Sequence, residues 1–168
     1  MKGENMNGRH LCVPAAAVLF LAVSIASALA QPVELVRGCL VESIAPLRLS
    51  ELAQAISRCE QVIGDAASSR DLRGQALGQR GLLYAKRWSI VETEQDALAG
   101  IADITEGLRL HKPEKAKKQH FLNIRGQLYL ATGQHKKAAD DFKAVLAEAP
   151  DNEPARAGLR KTGTSENY

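Results

Sequence analysis

Arg80-Gly81-Leu82-Leu83-Tyr84 recurs as Arg125-Gly126-Gln127-Leu128-Tyr129. Each copy is followed by an amphipathic stretch and then a proline: Ile101 to Leu110 before Pro113, and Ala138 to Ala149 before Pro150. One helix pair per copy, with a glycine where the two helices would cross, cannot cover its own apolar face. Stacking on a neighbouring pair covers it. The repetition therefore predicts an all-α fold, a short array of antiparallel helix pairs.

Reading outward from the two copies, helices are expected nearly everywhere. Leu52, Ala55, Ile56, Cys59, Val62 and Ile63 form a stripe at helical spacing, with Ser50 as a cap and Gly64 at the end. Further helices are expected over about 71–86, 94–110, 115–131 and 134–149. Pro154 suits the first turn of a last short helix reaching Lys161, and 162–168 reads as a frayed tail. A short helix is also expected from Pro32 to about Ser43. No period-two alternation and no hairpin dipeptide points to a strand. The short connections force successive helices to pack antiparallel.

In these residues the chain resembles the tetratricopeptide repeat (TPR) family. Leu122, Arg125, Gly126, Tyr129, Gly133, Ala138, Phe142 and Pro150 fall on the family's spacings, with Leu122 replacing the aromatic and Arg125 the leucine. The earlier copy keeps Leu77, Gly81 and Tyr84 but has Gly100 and Ile104 where Ala and Phe are expected, and extra residues around Trp88–Asp96. Ala55 to Glu60 looks like a lone second helix of a further repeat. A Cys there in place of the aromatic, preceded by another such as Cys39, is similar to exported bacterial members. The resemblance implies a right-handed α-solenoid over 31–161 with a C-terminal capping helix. It implies a concave groove lined by the first helix of each pair, in which Gln75, Gln79, Leu82, Lys86, His120, Asn123 and Gln127 would meet a protein or peptide partner. Asn123 and Gln127 stand away from Ile124 and Leu128, so their polarity is not required by the core, and Gln79 and Lys86 are placed similarly. The family's carboxylate-binding set of Lys and Asn in adjacent repeats has no match.

The amino terminus carries Lys2 and Arg9, an apolar run from Leu11 to Leu29, and Ala28-Leu29-Ala30 before Gln31. This reads as a cleaved signal peptide over 1–30, with an uncleaved anchor as the rival, and predicts an exported protein, periplasmic or secreted, without a membrane span after cleavage. Cys12 leaves with that segment, and Cys39 and Cys59 remain as an even pair. In an oxidising compartment they can form a disulfide; two buried free thiols are the other reading.

The full chain has 168 residues, 45% apolar, 24% charged and 4% aromatic. That balance excludes a disordered chain and a membrane bundle. Residues after 30 hold twenty basic and eighteen acidic side chains, which gives no electrostatic case for nucleic acid. No metal-ligand spacing, nucleophile motif or Gly-rich phosphate loop occurs, so neither cofactor nor catalysis is expected. His111, His120 and His135 read as solvated, as do Asp140 and Asp141, and Glu92 and Glu94. Lys112, Lys115, Lys117 and Lys118 make a basic run, either a solvated connection or a contact for an acidic partner or lipid head group. Trp88–Asp96 either lengthens a helix that packs on its neighbour or protrudes toward a partner. A binding module is the first expectation, and a self-assembling structural component of an envelope complex the second.

Overall fold

Leu52, Ile56, Cys59 and Val62 are all buried in the computed structural model, on the helix their spacing predicts, α1 (Leu49–Gly64). Five more helices follow: α2 (Arg70–Val91), α3 (Glu94–Leu110), α4 (Lys115–Ala131), α5 (His135–Glu148) and α6 (Glu153–Lys161). The structure describes residues 38, 39 and 48–163, and no strand occurs among them. The chain is all-α. The signal-peptide reading lies outside the described residues, as do 164–168 of the expected tail 162–168 and most of the expected helix between Pro32 and Ser43. Thr162, read as the first residue of a frayed tail, is instead buried and donates its hydroxyl to the Leu159 carbonyl at 2.7 Å. Gly38 and Cys39 of that stretch are helical.

Local chemistry accounts for the helix ends. Ser69 caps α2 by accepting from the Leu72 N–H at 3.1 Å, and Asn152 caps α6 by accepting from Ala155 at 3.0 Å. Gly133, at φ 72°, supplies the left-handed residue between α4 and α5. Helix α2 runs five residues past the expected end at Lys86. It stops at Glu92, which takes the left-handed conformation at φ 54° while its N–H donates to the Trp88 carbonyl at 2.7 Å. Of the two readings of the insertion, the helix-lengthening one describes Trp88. Its half-buried ring packs against the core of Ala97, Ile104, Phe121 and Leu128.

Three apolar clusters follow one another along the chain. Cys39, Leu52, Ile56, Cys59 and Val62 meet Ala76 and Leu83 between α1 and α2. Ala97, Ile104, Phe121 and Leu128 join α3 to α4, and Leu122, Phe142, Val145 and Ala155 join α4, α5 and α6. The glycines of the two sequence copies sit at close crossings. A Cβ on Gly81 would lie 2.7 Å from Ile104, and one on Gly126 2.7 Å from Phe142. Consecutive helices pack together throughout. In addition α2 touches α4 and α4 touches α6, whereas α1, α3 and α5 do not touch one another among the described residues.

Candidate functional site

The residues expected to line a groove do not share one environment. Lys86, His120 and Gln127 are exposed. Gln75 is half-buried and donates to Asp71 at 2.7 Å, and half-buried Leu82 packs against the α3–α4 core. Two expectations are corrected. Gln79 is only 6% exposed, because it shares the stripe of Ala76 and Leu83 that faces α1. Asn123 is 7% exposed and donates to Asn152 Oδ1 at 3.1 Å. Since Asn152 is the α6 cap, Asn123 holds the cap from beneath. Its polarity belongs to the packing of α4 on α6. The Asn123 Oδ1 atom is buried and has no hydrogen-bond partner among the described residues.

A third correction concerns charge. Asp141, read as solvated, is buried and takes a two-point contact from Arg125 at 2.8 and 2.6 Å. The preceding pair repeats this geometry, with Arg80 meeting Asp103 at 2.7 and 2.9 Å. Arg87 likewise grips Asp96 across the α2–α3 turn. Asp140, Glu92 and Glu94 are exposed, as their reading required. The signal missed in the sequence was positional. In each copy the Arg of Arg-Gly-x-x-Tyr opposes an Asp just before Ile104 or Phe142.

These contacts set the local electrostatics. Hydrogen bonding to Asp103 holds the Arg80 guanidinium above its ordinary pKa. Burial pulls Arg125 down, but the bonds to Asp141 outweigh it and leave its pKa raised. Bonds from Arg87 hold Asp96 low. Tyr84 lies between Arg80 and Arg87, whose guanidinium carbons are 5.8 and 5.1 Å from its ring centre. Burial raises its hydroxyl pKa. Tyr129 stands equally between Arg125 at 5.8 Å and Lys137 at 5.5 Å.

The histidine reading also needs one correction. His111 is half-buried, and its Nδ1 lies 2.5 Å from Asp71 Oδ1, which joins the start of α2 to the end of α3. His120 and His135 are exposed. Within the basic run, Lys118 pairs with Glu148 at 2.9 Å, while Lys112 and Lys115 are exposed. Cys39 and Cys59 lie buried at disulfide distance, their Cα atoms 4.7 Å apart.

Among the described residues no group of three or more His, Cys, Asp or Glu side chains could hold a metal ion, and no helix is long and apolar enough to cross a membrane. The chain matches no protein-family model, no curated protein and no solved structure.

Proposed function

We propose that the chain is a short right-handed α-solenoid of the tetratricopeptide-repeat type, acting outside the cytoplasm as a non-catalytic module that binds a protein segment. One observation carries this reading. Helices α2, α4 and α6 touch in series while α1, α3 and α5 stand apart. A stack that is tight along one row and open along the other curves toward the tight row, which then lines the inner side. Lys86, His120 and Gln127 are exposed on that row, with Gln75 and Leu82 beside the core. Such a row suits an extended or helical segment.

A photoreactive side chain in place of Gln127 tests the reading, with Ala102 on the outer helix α3 as the control. Cross-linking to a partner from a cell-envelope extract is expected at Gln127 and not at Ala102. Equal labelling at both sites overturns the groove. The second reading, self-assembly, is favoured by Ile90, Val91 and Leu98, which are exposed on either side of the α2–α3 turn. Sedimentation equilibrium separates the two readings. Concentration-dependent association that Ile90→Ser with Leu98→Ser removes would support self-assembly.

A further inference from the structure

Charge is divided unevenly between the two sets of helices. Helices α2, α4 and α6 hold twelve Lys and Arg against two Asp and Glu, whereas α1, α3 and α5 hold five against nine. Four ion pairs run from one set to the other: Arg80–Asp103, Arg87–Asp96, Lys118–Glu148 and Arg125–Asp141. Setting these aside leaves the outer helices balanced, with five cations and five carboxylates. The inner row keeps eight cations and two carboxylates. Those two are already engaged, Asp71 by His111 and Glu153 by Arg156.

The surplus reaches the first and last helices of the inner row. Lys86 on α2, and Arg160 and Lys161 on α6, are exposed and form no ion pair among the described residues. Half-buried Lys117 of α4 shares the stripe of Phe121, Ile124 and Leu128 that packs toward α3, so between those cations the row offers the polar side chains of His120 and Gln127. Neighbouring helix axes lie about 8–10 Å apart, so three helices span about 16–20 Å. An extended chain covers that span with about six residues.

We infer that the α2–α4–α6 side takes an acidic protein segment in extended form, recognised by its carboxylate side chains along the row and not by a free carboxyl terminus. The inference rests on the interaction-module reading and adds the chemistry of the partner. Two other polyanions fit less well. Every Phe, Tyr and Trp ring among the described residues is buried or half-buried, and Tyr84 and Tyr129 are covered by cations, so bases find no large stacking platform. Helices α4 and α6 expose no large apolar side chain, whereas a helix lying on an anionic bilayer needs an apolar face beside its cations.

The test uses the purified protein and two fluorescent, carboxyl-terminally amidated peptides of about eight residues, one Glu-rich and one with Gln at the same positions. Anisotropy should show the Glu peptide binding at least about tenfold more tightly. That advantage should shrink severalfold as salt rises from about 20 to about 200 mM. Lys86→Gln, Arg160→Gln and Lys161→Gln combined should weaken binding at least about fivefold. Arg109→Gln with Lys136→Gln, on the outer helices, should change it less than about twofold.

Failure of the Glu peptide to bind more tightly than the Gln peptide overturns the inference, as does an equal loss in the outer-helix variant. Tighter binding of a single-stranded oligonucleotide, or of vesicles containing an anionic phospholipid, overturns it in favour of that polyanion. If the peptides bind alike but Gln127 still cross-links, only the acidic preference falls. Absence of both peptide binding and the cross-link removes the module reading as well.

Discussion

Arg125 and Asp141 meet with side chains only 16% and 8% exposed, and Arg125 also donates to Thr105 of α3 at 3.0 Å. Removing one partner strands the other charge in a poorly solvated place, whereas removing both does not. Asp141→Ala should therefore lower the unfolding free energy by about 2–3 kcal/mol, and Arg125→Met with Asp141→Leu should recover more than half of it in urea titrations. A cost below about 1 kcal/mol, typical of an exposed pair such as Lys136–Asp140, would show that water reaches the contact. Helical periodicity could not reveal this pair, because it assigns a charged residue to solvent without seeing the facing helix. Asp71 poses a different question, being exposed. Its hydrogen bond with His111 holds its pKa below the ordinary value. A carboxylate lowered by folding stabilises above its unfolded pKa and loses that contribution as pH falls through its folded pKa. The melting difference between the native chain and Asp71→Asn should be open at neutral pH and close in acid; a pH-independent difference would remove the charge from the explanation.

At the scale of elements, α3, α4, α5 and α6 were legible to within a residue at each end from their apolar periodicity and the prolines and turn residues between them, whereas α1 starts two residues early, with Arg48 and not Ser50 at its cap. The end of α2 was not legible. The residue that takes the left-handed conformation there is Glu92, not the glycine that ordinarily marks such a stop. Glu92→Gly should relieve that strain and raise stability by about 0.5–1 kcal/mol, read as a higher melting temperature with helical content unchanged. A fall in melting temperature would mean that the Glu92 side chain contributes more than its backbone costs. The cysteine pair acts between elements as well. Cys39 lies in the first cluster with Cys59 of α1 and with Ala76 and Leu83 of α2. A bond closing the separation of 20 residues would add about 3 kcal/mol in the chain-entropy account. Thiol titration of the unfolded, unreduced protein should then find no free thiol at Cys39 and Cys59, and two free thiols there would mean that the pair is reduced.

Over the whole molecule, stability should be divided in the way the helices touch. Among the described helices no contact links α1 to α3 or α3 to α5, so α1 is held by α2 alone, and α6 by α5 and α4. The apolar clusters likewise follow the chain in order, and only partly buried Ile101 and Leu108 are shared between the two later ones. The small net charge of the chain gave no hint of the cationic α2, α4 and α6, because the acidic excess of α1 and α3 and the carboxylates outside the helices offset most of it; only the pairing of helices separates them. The same nearest-neighbour order makes a strong claim about dynamics. In a stack of this kind the ends open before the middle, and damage spreads only to adjoining helices. Val145 is fully buried among Phe142 and Ala155, where α5 meets α6, and Val145→Ala should cost about 2 kcal/mol. Amide hydrogen exchange read helix by helix should then speed up in α5 and α6 while α2 and α3 keep their protection. Those two helices share glycine crossings at Gly78, Gly81, Gly100 and Gly107, with Gly107 so close to Gly78 that a Cβ would lie 2.7 Å from its nitrogen. Uniform acceleration across all six helices would mean that the molecule unfolds as one cooperative globule, and that its stacked order does not govern its stability.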